Sequence, residues 1–277
     1  MKINYYKYHA LKNDFLVVEE SDQKLTSKRL ENLALSACNR RSGIGADGIV
    51  YLSESKVADF KIDIYNADGS WAEKSGNGLR IAGYHRYLQN NQREFSFKTG
   101  NGIDRVRYIK KTKEGGLLMT ELGTPEFDTK LIPIKSQIKF MINAPLELEG
   151  YSFPVTCLSV GNPHTVLLVE NFDFDWQTVG FDIEHHKIFP NRTNVEFVKP
   201  ISRKKLKVAD WERGAGATGS SGTGAAAAVC ACVMLGICNR ECEVVFENGS
   251  LFVNYNDKNI VELTGPAEFI SSGEYEL

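Results

Sequence analysis

Two four-residue segments of the chain share one pattern: Ser75-Gly76-Asn77-Gly78 and Ser221-Gly222-Thr223-Gly224. The first leads into Leu79-Arg80-Ile81-Ala82-Gly83-Tyr84, the second into Ala225-Ala226-Ala227-Ala228-Val229. A helix that begins on glycines offers unpaired backbone N–H groups and the positive end of its dipole to an anion. Two such starts converging on one ligand would clamp a carboxylate and set a hydroxyl on each side of it. That arrangement suits proton chemistry at the carbon beside a carboxylate.

Polar islands interrupt the apolar runs between these segments. They are Lys12-Asn13-Asp14, Asn66-Ala67-Asp68-Gly69-Ser70, Gly161-Asn162-Pro163-His164, Asn191-Arg192-Thr193-Asn194 and Glu212-Arg213-Gly214-Ala215-Gly216. Any one of them alone reads as turn chemistry. Together they suggest a site, because Asn66 and Arg213 each stand fewer than ten residues before a serine of the repeated pattern. Asparagine amides and a forked guanidinium suit a carboxylate and an ammonium group. His164 reads either as a satisfied structural histidine or as a group that orients one hydroxyl.

The elements that must position these residues restart halfway along the chain. Strand-like runs are Tyr5–His9, Phe15–Glu19, Gly48–Leu52, Phe60–Tyr65, Phe95–Thr99, Ile103–Ile109 and Gly116–Glu121, with helices over 25–38 and 78–89. Thr26 or Ser27 is the expected N-cap of the first helix. A second series follows: strands near 132–142, 151–160, 165–169, 194–198 and 206–212, a helix over 224–235, then strands near 243–246, 250–255 and 260–264. Gly265-Pro266 is expected to break the last strand. The pattern predicts two similar α+β domains, 1–119 and 120–265, facing across a cleft, with the tail 266–277 free to return to the first.

The 277 residues are 42% hydrophobic and 25% charged with a net charge of −2, and the isoelectric point is near 6.3. Nothing in that balance recruits nucleic acid or an anionic membrane, so a small-molecule substrate is expected. The amino terminus lacks an apolar leader-like run, and no stretch approaches the ~20 apolar residues of a membrane span. The expected location is cytoplasmic. Six cysteines, Cys38, Cys157, Cys230, Cys232, Cys238 and Cys242, match no zinc spacing and read as buried thiols, with no metal site. An edge strand could mediate a homodimer.

Along its whole length the chain resembles the diaminopimelate epimerase family. The matching stretches are His9–Phe15, Gly43–Gly48, Asn66–Ser70, Gly76–Gly78, Gly161–His164, Thr193–Phe197, Glu212–Gly216 and Gly222–Gly224. The resemblance implies two β-rich barrels, each around a central helix, and cofactor-independent interconversion of LL- and meso-diaminopimelate in lysine biosynthesis. It implies that the amides at Gly76-Asn77-Gly78 and Gly222-Thr223 grip the carboxylate at the reacting centre. Asn13, Asn66, Asn162, Asn194 and Arg213 would recognise the rest of the substrate, while His164 and Glu212 would support acid and base. The family uses two cysteines as those acid–base groups, where this chain has Ser75 and Ser221. Lys12 stands where the family usually has Gly, and Ala217 where it often has Glu. A serine ionises far above a thiol and needs a neighbour to take its proton. Three readings therefore stay open: an isomerase whose serines are activated by His164 or Glu212, a homologue that only binds or performs milder chemistry such as dehydration, and deliberate replacement of the cysteines.

Overall fold

The computed structural model describes residues 2–20, 22, 24–100 and 102–277. By contacts the chain divides into two compact units, Met1–Glu121 with Thr264–Leu277, and Leu122–Leu263.

In the first unit, β1 (Lys2–Ala10) and β2 (Asn13–Glu19) form an antiparallel hairpin. Its turn residues Leu11 and Lys12 both have positive φ, 52° and 68°. Helix α1 (Ser27–Ala37), N-capped by Thr26, carries the chain to β3 (Gly48–Ser53), parallel to β2. Strand β4 (Phe60–Asn66) pairs with β3, and the two-residue β5 (Trp71–Ala72) turns back on β4. Helix α2 (Gly76–Asn90) then crosses to β6 (Glu94–Thr99), parallel to β4, followed by the antiparallel β7 (Gly102–Lys111) and β8 (Gly116–Gly123). The last strand of the chain pairs with both β8 and β1, closing a ring of eight strands.

Helix α2 forms the centre of this ring. Leu79, Ile81, Ala82 and Tyr84 share one core with Val17, Val50, Ile64, Phe97, Val106 and Leu118 from the surrounding strands. A helix enclosed on all sides needs small residues where strands approach. At Gly83 an added Cβ would lie 2.5 Å from Val106 Cγ1, closer than packing allows.

The second unit repeats the order. After β9 (Ala144–Leu148), strands β10 (Tyr151–Ser159) and β11 (Pro163–Leu168) form a hairpin, and α3 (Trp176–Glu184) leads to β12 (Asn194–Ser202), parallel to β11. Strand β13 (Lys205–Glu212) pairs with β12, and β14 (Gly216–Ala217) folds back on β13. Helix α4 (Gly222–Met234) crosses to β15 (Glu241–Phe246), parallel to β13. Strands β16 (Gly249–Tyr255) and β17 (Val261–Glu276) complete the series. Every residue from Ala225 to Cys232 in α4 has 0% exposure, which the short alanine side chains permit. The fold is α+β, each unit being strand-rich around one buried helix.

Two expectations are corrected and one element is added. Residues 132–142 form no strand beyond a single bridge from Phe140 to Asp128, because Ile132 and Ile134 bond back to Asp128 and Thr129 and Pro133 has no N–H to give a ladder. Helix α3 lies in a stretch to which the sequence pattern assigns no element; Gly180 lets it pack closely, since a Cβ there would meet Trp211 at 2.9 Å. Strand β17 continues through Gly265-Pro266, whose fixed φ suits an extended backbone. The six cysteines are buried and unbridged, and burial pushes Cys157 and Cys230 up to about 12.

Candidate active site

The two repeated segments occupy matching places in the two units, each at the start of the buried helix. Ser75 is the N-cap of α2, in extended conformation, and its Oγ accepts from Gly78 N–H at 3.0 Å. Ser221 caps α4 in the same way, its Oγ accepting from Gly224 N–H at 3.1 Å. Serine at an N-cap uses a lone pair for the helix and keeps its own proton to donate. Gly78 and Gly224 thus serve the caps, and the amides of Gly76, Asn77, Gly222 and Thr223 are those that helix geometry leaves for a ligand.

Around the α2 start, Asn77 Nδ2 donates to Asn13 Oδ1 at 2.9 Å and Asn13 Nδ2 donates to Asp47 Oδ2 at 2.8 Å. Asp47 is held by Arg40, which also grips Asp14. The structure therefore brings Asn13 to Asn77. Asn66 is exposed at the end of β4 and bonded within its own turn, Nδ2 to Ser70 Oγ at 3.0 Å. Arg80, one turn inside α2, donates Nη2 to Asn77 Oδ1.

Around the α4 start acidic side chains join a histidine, asparagines and threonines. His164, at the head of β11, has Nδ1 2.6 Å from Glu196 Oε1 and Nε2 2.9 Å from Asn162 Oδ1. Asn162 Nδ2 donates to Thr223 Oγ1 at 3.3 Å, so Oδ1 is the atom that faces His164 and must accept. Nε2 therefore carries a proton, and Nδ1 shares the second proton with Glu196. Burial raises Glu196, which favours its neutral form. Asn194 Nδ2 donates to Pro163 O, and its Oδ1 accepts from Arg213 N–H at 2.9 Å. The Arg213 guanidinium is exposed and reaches Asn191 O.

Strand alternation places Asp210 and Glu212 on one face of β13, and Asp210 is the direct cross-strand partner of Glu196. The β14 return sets Thr218 over both: its Oγ1 contacts Asp210 Oδ2 and lies 2.5 Å from Glu212 Oε1. One hydroxyl has one proton, so the second of these contacts requires a proton on a carboxyl group. Burial accounts for it, pushing Asp210 up to about 6 and Glu212 up to about 7. Two buried oxygens, Glu196 Oε2 and Asp210 Oδ1, have no hydrogen-bond partner among the described residues. Ser221 Oγ and Glu196 Oε1 both border the Cα of Gly224. A Cβ on Gly224 would lie 2.9 Å from Glu196 Oε1 and 3.0 Å from Ser221 Oγ.

His164 and Glu212, expected beside the serines, thus engage Glu196, Asn162 and Thr218. Glu196, Asp210, Thr218 and Arg80 were not expected as site residues. The signal for the carboxylates was an acidic residue inside an otherwise apolar strand, as in Val195-Glu196-Phe197-Val198. Among the described residues no group of His, Cys, Asp or Glu has the arrangement of a metal site, and no helix is long and apolar enough to cross a membrane.

A family model described as diaminopimelate epimerase matches residues 5–127 and 156–270. The diaminopimelate epimerase of Carboxydothermus hydrogenoformans is 42% identical over 279 residues, covering 99% of this chain and 100% of that one. The one from Acetivibrio thermocellus is 37% identical over 275 residues, covering 98% of each. Among solved structures, a phenazine biosynthesis protein of the PhzF family from Bacillus anthracis superposes with a TM-score of 0.68 at 15% identity, with full coverage of both chains. That likeness is one of fold.

Proposed function

The chain belongs to the diaminopimelate epimerase family, and on that premise we propose that it inverts one α-carbon of diaminopimelate by moving protons, without a cofactor. The supporting observation is the pair of serine-capped helix starts at matching places in the two units, each with free amides beside a hydroxyl. In this reading one serine accepts the α-proton and the other returns a proton to the same carbon. The amides of Gly76, Asn77, Gly222 and Thr223 take up the charge that spreads onto the carboxylate. Asn13, Asn66, Asn162, Asn194 and Arg213 hold the remaining polar groups of the substrate.

A hydroxyl acts as a base only when its own proton has somewhere to go. At Ser221 the receiving set is His164–Glu196 with Glu212–Thr218–Asp210. As Ser221 Oγ takes the α-proton, its original proton passes into that set, and the reverse transfer restores it. With Glu212 near 7, the set accepts protons above neutral pH and is filled in acid. Exchange should therefore rise as pH increases through about 7.

The capping role of both serines also favours a second reading, a binder that holds the diamino acid and leaves its α-proton in place. A serine N-cap stabilises a helix start with no chemistry required. Incubation with LL-diaminopimelate, followed by chiral chromatography and paired with calorimetry, separates the two. Appearance of the meso isomer supports the epimerase; heat of binding with unchanged stereochemistry supports the binder.

A further inference from the structure

Arg80 heads the fully buried side chains in volume, at 0% exposure. It contributes one contact, Nη2 to Asn77 Oδ1, while Nε and Nη1 are buried with no hydrogen-bond partner among the described residues. Helical side chains lean toward the N-terminus, and the Asn77 contact shows that this guanidinium does so. It is a cation with idle donors under the α2 start. Burial alone lowers its pKa to about 10, with no carboxylate opposing the shift.

The matching position in α4, five residues after the capping serine, is Ala226. Beside that helix start lies the carboxyl of Glu196, with Asp210 its cross-strand partner. The two helix starts share backbone geometry and have opposite electrostatics. A charge kept in the interior without a counter-charge costs the folded chain stability, and an anionic ligand held nearby would offset that cost.

We infer that Arg80 is the buried counter-charge for a carboxylate held at the Gly76 and Asn77 amides, making the α2 start the anion-selective end of the site. It positions Asn77 and acts on the ligand through its field. The inference rests on the reading that this helix start meets the substrate, and it assigns the stronger grip on the carboxylate to α2 and the proton-holding role to α4.

Arg80→Met keeps the volume and removes the charge; Arg80→Lys keeps the charge. Affinity is read from the Gly76 and Asn77 amide resonances during titration with LL-diaminopimelate, and stability from thermal unfolding of the unliganded chains. The expected result is at least a tenfold loss of affinity in Arg80→Met, near-native affinity in Arg80→Lys, and a higher unfolding midpoint in Arg80→Met, by about 2–4 °C. A purely structural arginine gives the opposite sign of stability change. A lower midpoint, or less than a tenfold loss of affinity, overturns the inference. If the native chain does not respond to diaminopimelate, the substrate reading fails and succinate becomes the probe. Amide shifts with succinate in the native chain that vanish in Arg80→Met uphold the role of Arg80, and equal or absent shifts in both overturn it.

Discussion

Replacing both capping serines, Ser75→Cys with Ser221→Cys, should trade stability for proton transfer, and each side of the trade can be worked out. Each Oγ accepts one helix-capping bond, at 3.0 and 3.1 Å. Cysteine is a weak cap, and loss of a serine cap costs about 0.5–2 kcal/mol, so the double variant should lose roughly 1–4 kcal/mol. Against this, a thiol of ordinary pKa about 8.5 gains roughly 0.3–2 kcal/mol from the helix terminus, which brings it to about 7–8.3. At pH 8 roughly a third to nine-tenths is then thiolate. A hydroxyl ionises far above a thiol, so under the same field only a negligible fraction is alkoxide at pH 8. General acid–base groups contribute about 10²–10⁴-fold, so α-proton exchange should rise by at least about a hundredfold. Proton NMR of LL-diaminopimelate in D₂O measures the rate, and thermal unfolding measures the loss. The buried native thiols Cys157 and Cys230, held up at about 12, should not contribute. An exchange rate within tenfold of native in a folded double variant would refute the assignment of these side chains as acid and base.

Asp210→Asn tests the carboxyl set through stability. Burial raises Asp210 from 3.8 to about 6, so its contribution is present below about pH 4 and is lost as pH rises through 6; the variant should lack that decline and be more stable at pH 8 by roughly 2–3 kcal/mol. Urea unfolding at pH 4.5 and pH 8 checks this, and an unchanged pH slope would contradict it. Gly224→Ala drives a Cβ to 2.9 Å from both Glu196 Oε1 and Ser221 Cβ, so it should cost about 1–3 kcal/mol and abolish exchange in protein that still folds, as seen by circular dichroism and the D₂O assay. Lys12→Gly relieves a lysine at φ 68° and should raise stability by about 1 kcal/mol in denaturant titration; a loss would mean that the Lys12 side chain stabilises the turn.

Most of the fold was legible because the signals were local. The alternation of the early strands, Thr26 before α1 and the glycines opening α2 and α4 each act within a few residues. Where long-range contacts decide, the pattern misled: α3 depends on Gly180 fitting against Trp211, and 132–142 buries Ile132, Ile134 and Met141 without forming a ladder. The site followed the same division. Ser75, Ser221 and Asn162 announce themselves as polar residues beside glycines, and Asn13 and His164 as members of polar islands between apolar runs. Arg80 and Glu196 sit inside apolar runs, and their importance comes from what burial does to a charge. Asp210 and Thr218 are eight residues apart and meet only because β14 folds back on β13.

The most direct measurement is α-deuteration of LL-diaminopimelate in D₂O by the native chain, by Ser75→Ala and by Ser221→Ala. The account predicts exchange with accumulation of the meso isomer in the native chain, and loss of that conversion by about a hundredfold or more in each single variant. Native-level conversion in either alanine variant, or none in a native chain that binds the substrate, would contradict it.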